Sequence, residues 1–116
     1  MGIDHVQVSI RAGAEDEARL FWRDGLGLVE IEKPASLTGR GGVWFQCGAQ
    51  QVHCGVEEPV ARSRRHPALL TDDLESLRAR LQAAGFPIRY EPEIPGFRRF
   101  FTEDPFGNRV ELMQRG

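Results

Sequence analysis

At 116 residues, with 41% hydrophobic and 28% charged side chains, the chain is sized for one core and is neither disordered nor fibrous. Fifteen Lys and Arg against 17 Asp and Glu leave a formal charge of -2, which gives no electrostatic reason to bind nucleic acid. No apolar run is long enough for a membrane span and no leader pattern opens the chain, so a cytoplasmic protein is expected, its two cysteines, Cys47 and Cys54, buried and reduced.

Residues 3–10 alternate apolar and polar, the period of a half-buried strand. Val6, Val8 and Ile10 share one face; His5, Gln7 and Ser9 share the other. Residues 14–24 read as a helix. Ala18, Phe21 and Trp22 fall at i, i+3, i+4, and Glu15, Asp16 and Glu17 occupy the first turn, where the helix dipole favours negative charge. Gly25-Leu26-Gly27 closes it. A strand at 28–33, a Pro/Gly-bearing loop to Gly42, and a hairpin of 43–47 with 51–57 around Gly48-Ala49-Gln50 complete the first half.

Glu58 to Arg65 reads as a linker, and its Arg62, Arg64 and Arg65 as a solvated basic surface. The order then recurs: a strand at 66–71, a helix at 73–84 with a Leu74, Leu77, Leu81 stripe, Gly85, a strand at 86–90, a loop, and a hairpin from Phe97 to Met113. His5 to Gly25 spans 20 residues and His66 to Gly85 spans 19, the signature of a repeated unit. One domain over 1–116 is expected, from a first βαβββ module at about 1–57, the linker 58–65 and a second module at about 66–114. Side by side, two such modules give an α+β fold: an eight-stranded curved sheet around a cavity, with the helices outside.

Strand phase decides what faces that cavity. In 51–57, Val52, Cys54 and Val56 suit the helix side, which turns His53 the other way. In 109–113, Val110 and Leu112 suit the helix side, which turns Arg109, Glu111 and Met113 inward. His66 opens the second module where His5 opens the first. The three histidines of the chain and one glutamate thus point inward from four strands. Imidazole and carboxylate are the usual ligands of Zn, Fe, Mn, Ni and Co, and the set His5, His53, His66 and Glu111 suits such a divalent ion with positions left open for substrate. Gln7, Ser9 and Met113 share the inward phase. Arg98 and Arg99 point to opposite faces, and one of them, taken as Arg99, would bind a substrate carboxylate in the pocket.

These residues resemble the vicinal oxygen chelate superfamily, which includes glyoxalase I, fosfomycin-resistance proteins, extradiol dioxygenases and bleomycin-resistance proteins. The similar stretches are Ile3-Asp4-His5-Val6, Phe21-Trp22-Arg23-Asp24-Gly25-Leu26-Gly27-Leu28, His66-Pro67-Ala68-Leu69 and, most specifically, Glu103-Asp104-Pro105-Phe106-Gly107-Asn108-Arg109-Val110-Glu111-Leu112. The resemblance implies metal ligands at His5, His53, His66 and Glu111, with Glu111 also the catalytic base. It implies an enzyme acting on a small oxygen-bearing substrate, by isomerase-lyase chemistry through an enediolate or by dioxygenase chemistry. A non-catalytic drug-binding protein of the bleomycin-resistance kind is the alternative. A homodimer is also implied. His53 stands where glyoxalase I usually carries a glutamate, so weak turnover of the methylglyoxal–glutathione adduct is expected.

Overall fold

The alternation at the start of the chain becomes strand β1, His5–Ile10, in the computed structural model, which describes residues 1–58 and 62–116. It belongs to the first of two compact units, Met1–Ala61 and Arg62–Gly116. Helix α1, Glu15–Arg19, runs on as a π-helical segment, Leu20–Gly25, in which the Leu26 N–H reaches the Phe21 carbonyl five residues back at 2.8 Å. The apolar spacing read from the sequence holds across that change of pitch. Ala18, Phe21 and Trp22 are completely buried, together with Ile10, Phe45 and Cys54. Phe21 and Trp22 meet edge to face at 5.1 Å.

Three further strands complete the first unit: β2 (Val29–Ile31), β3 (Val43–Cys47) and β4 (Gln50–Val56). The sheet order is β1-β4-β3-β2, with β1 parallel to β4 and the other pairs antiparallel. Gln50 joins β4 and pairs with Cys47, so the hairpin turns on Gly48 and Ala49 alone. At the mouth of the preceding loop Gly42 has φ +88°, and a Cβ there would lie 2.4 Å from the Cys54 carbonyl oxygen. Only glycine fits that approach.

The second unit holds β5 (Ala68–Leu70), α2 (Leu74–Ala83), β6 (Phe97–Glu103) and β7 (Arg109–Arg115), in sheet order β5-β7-β6. Asp73 caps α2, accepting from the Ser76 N–H at 3.1 Å and the Ser76 hydroxyl at 2.6 Å. Leu74, Leu77 and Leu81 are buried, as are Phe100, Val110 and Leu112 of the sheet. The turn into β7 is built on buried Asp104. Its Oδ1 accepts from the N–H groups of Phe106 and Asn108, both at 2.9 Å, and its Oδ2 from the Asn108 amide at 2.8 Å.

Two expectations need correction. The strand placed at 86–90 is a single bridge, Arg89 to Phe101, with both backbone bonds at 2.8 Å. Pro87 has no N–H to donate, so the pairing does not extend toward the helix. Among the described residues there are therefore seven strands, four in one sheet and three in the other, where eight in one sheet were expected. His66 also precedes its strand: Pro67 cannot donate to a ladder, and β5 starts one residue later at Ala68. The expected linker 58–65 includes residues 59–61, which lie outside the described residues. No helix among the described residues is long and apolar enough to cross a membrane.

Candidate functional site

Each unit joins its first strand to its last in parallel, and this pairing sets two histidines in equivalent places. In the first unit Gln7 lies opposite His53, and His5 stands two residues before Gln7. In the second unit Ala68 lies opposite Glu111, and His66 stands two residues before Ala68. The repeat visible in the sequence is thus kept residue by residue in the register.

The imidazoles of the first unit form a stack. The His5 and His53 rings lie 3.9 Å apart at 17°, and the Trp44 ring covers the other face of His53 at 3.5 Å and 3°. Trp44 sits directly opposite His53 in the β3–β4 ladder, which is why the indole meets the imidazole. His53 is 4% exposed, and its burial, aided by the neighbouring His5, lowers its pKa below the usual imidazole value. It is therefore held neutral, the form a metal ligand requires. Its Nε2–H donates to the Gln51 amide oxygen at 2.8 Å, leaving Nδ1 as the nitrogen with a lone pair. His5 is arranged the other way round. Its Nδ1–H donates to the Asp4 carboxylate at 2.9 Å, which leaves Nε2 available.

His66 repeats the arrangement of His5. Nδ1–H donates to the Arg64 carbonyl at 2.8 Å, and Nε2 faces Glu111 Oε1 at 3.1 Å. The other carboxylate oxygen, Oε2, accepts from Arg99 Nη1 at 3.0 Å. Both partners of that ion pair are largely covered, with the Glu111 side chain 8% and the Arg99 side chain 15% exposed. Arg99 also donates to the Pro92 carbonyl, while its Nε is buried without a partner. Phe101, opposite Glu111 in the ladder, meets the edge of His66 at 5.0 Å and 81°.

The remaining expected pocket residues are placed as follows. Ser9 donates to Glu57 at 2.6 Å, and the Gln7 amide lies close over Gly55. Met113 is half-buried opposite Arg99, and Arg98 is exposed on the other face. Arg99 is committed to Glu111, so its first effect is to orient that carboxylate. Sequence reasoning missed Trp44, whose relation to His53 follows from ladder register and not from alternation. Cys54 is completely buried; burial pushes the Cys47 thiol up, so neither is a reactive thiolate.

The second unit suits a cation on three counts. Two donors bound at about 2.1 Å in neighbouring coordination positions lie about 3.0–3.4 Å apart, and His66 Nε2 and Glu111 Oε1 match that spacing. A backbone carbonyl holds the far nitrogen of His66, which is how ligand imidazoles are commonly oriented. Arg99 occupies only Oε2, leaving Oε1 free to ligate. Among the described residues, no group of three or more His, Cys, Asp or Glu is placed to hold a metal.

The family model for the Glyoxalase/Bleomycin resistance protein/Dioxygenase superfamily matches residues 2–112. A crystal structure assigned to the glyoxalase family, from Bacillus anthracis, is 41% identical over 100% of this chain and 96% of that one, with a TM-score of 0.91. The fosfomycin resistance protein FosX from Listeria monocytogenes, solved with Mn(II) and 1S,2S-dihydroxypropylphosphonic acid, is 16% identical over 99% of this chain and 92% of that one, at TM-score 0.83. Lactoylglutathione lyase from Agrobacterium tumefaciens is 23% identical over 97% and 92%, at TM-score 0.72. At those identities the last two show a shared fold. No curated protein matches.

Proposed function

Because the chain belongs to the Glyoxalase/Bleomycin resistance protein/Dioxygenase superfamily, we propose that it is a metal-dependent enzyme acting on a small substrate with two neighbouring oxygens. The observation that carries this reading is the facing pair His66 Nε2 and Glu111 Oε1, each oriented from behind by a separate partner. His5 and His66, the residues at equivalent places in the two units, and Glu111 are the ligands in this reading. His53 is a fourth ligand or a close neighbour.

A bound divalent ion, such as Zn, Fe, Mn, Ni or Co, would supply Lewis acidity to the paired substrate oxygens. The protein groups do the rest. Arg99 fixes Oε2 of Glu111, so that Oε1 is the atom that would ligate, and that would accept a proton from a substrate carbon only when released as a ligand. His53, neutral and stacked, adds no negative charge where glyoxalase I usually carries a glutamate. Lyase or isomerase chemistry that needs one base fits this set better than chemistry that needs two carboxylates.

Elemental analysis of protein purified without added metal or a chelating tag tests the reading. It predicts stoichiometric divalent metal in the native chain and its loss in Glu111→Ala. Absence of metal in the native chain would instead favour the metal-free drug-binding alternative. A second assay probes the chemistry: weak turnover of the methylglyoxal–glutathione adduct is expected, rising in His53→Glu. Robust turnover by the native chain would show that His53 does not limit proton transfer. A cytoplasmic homodimer completes the proposal, and light scattering is expected to give about 26 kDa, twice the 13.0 kDa chain.

A further inference from the structure

The basic side chains of 62–65, read from the sequence as a solvated surface, have a different setting in the fold. A cavity of about 410 Å³ within the second unit is lined by Arg64, Arg99, Arg109, His66, Glu91 and Phe101. It adjoins another, of about 330 Å³, that shares Arg64 and Arg109 and adds Arg62 and Arg89. Five arginines gather here against Glu91, Glu103 and the adjoining Glu111, in a chain whose net charge is -2.

Three of these arginines are paired with buried or half-buried carboxylates. Arg99 is spent on Glu111, and Arg62 lies 3.0 Å from Glu103, which Arg89 approaches at 3.7 Å. Arg109 is held differently. Its guanidinium lies 4.0 Å above the Phe101 ring, and it pairs with Glu91 at 3.3 Å. A guanidinium held over an aromatic face keeps N–H groups at its rim for bonds to an oxyanion. Arg64 faces the same cavity, and its backbone carbonyl orients His66. One short stretch of chain therefore carries both a candidate anion contact and the clamp on a candidate metal ligand.

We propose that Arg109, seated on Phe101, and Arg64 form an oxyanion subsite beside His66, so that the substrate carries a carboxylate or phosphoryl group next to its paired oxygens. The proposal rests on the metal-enzyme reading for the second half of that sentence only. The subsite itself needs no metal and is tested without one.

The full-length chain, ¹⁵N-labelled and stripped with a chelator, is titrated separately with inorganic phosphate and with acetate while the arginine Nε–H resonances are followed by NMR. Saturable movement of the Arg109 resonance is expected with at least one probe. The tighter probe assigns the class, phosphoryl or carboxylate. Arg109→Gln should weaken binding about tenfold or more and Arg109→Lys by less, because lysine keeps the charge but not the paired donors. Arg64→Ala, at an exposed position that folding does not depend on, should also weaken it and covers the case of a misfolded Arg109→Gln. No saturation, or equal affinity in Arg64→Ala and either folded Arg109 variant, overturns the subsite. Metal content measured on the same samples before stripping reports the metal reading separately. An anion-binding chain without metal retains the subsite and loses the enzyme.

Discussion

The two units solve one placement problem with different chemistry. Both put a histidine two residues before the residue that faces the last-strand donor, through the parallel pairs β1 with β4 and β5 with β7. In the first unit the neighbours are rings: His53 lies between His5 and Trp44, and the nearest carboxylate, Asp4, is 90% exposed. In the second unit the neighbours are charges, with Glu111 held between His66 and Arg99. Stacking and burial prepare a neutral nitrogen donor in His53. An ion pair prepares a carboxylate.

Breaking the ion pair should have the largest effect. Glu111→Ala leaves the Arg99 guanidinium largely buried with no counter-charge, and the metal-free chain should lose about 3–5 kcal/mol of stability by urea unfolding. If the loss is below 1 kcal/mol, as for an exposed pair, the two units do not differ in the way described.

Glycines give the next contrast. Gly42→Ala forces a Cβ against the Cys54 carbonyl at positive φ and should destabilise the first unit by about 2–3 kcal/mol. Gly107→Ala in the second unit, at φ +84° with open space around it, should cost only about 1 kcal/mol. Equal losses at the two positions would mean that backbone conformation alone, and not the close approach at β4, sets the cost.

Glu15 gives the smallest effect. Its carboxylate accepts from the Gly42 N–H at 2.9 Å, and that bond lowers its pKa below the usual glutamate value. A group with a depressed folded pKa contributes its stability above the unfolded pKa and loses it as pH falls through the folded one. Glu15→Gln should therefore cost about 0.5–1 kcal/mol near pH 7, and the gap to the native chain should close on acidification below the ordinary carboxylate range. A gap that stays constant across that range would assign the cost to packing.

Much of this comparison is legible in the residues. The Asp104-Pro105-Phe106-Gly107-Asn108 run specifies its own turn, and alternation through Val110 and Leu112 fixes the face on which Glu111 stands. The stripe Ala18, Phe21, Trp22 is robust because burial of those rings outweighs a local change to π-helical pitch. Alternation does not tell which residue lies across the ladder. The Trp44–His53 stack and the reach of Arg99 to Glu111 therefore stay hidden until register is known. The expected strand at 86–90 failed for a visible reason, since Pro87 withholds a donor, and the same logic at Pro67 delays β5. Alternation turns Arg109 inward, but the setting of Arg64 was hidden because charge in a linker looks the same whether it faces solvent or a pocket.

The central proposal is that His5, His66 and Glu111 are ligands of a metal ion. Metal affinity of His5→Ala and His66→Ala, titrated side by side on folded, chelator-stripped protein, tests it most directly. The account predicts that both variants lose affinity by about 100-fold or more, and that His53→Ala loses less. Full affinity in His5→Ala, with loss only in His66→Ala, would contradict it and confine metal binding to the second unit.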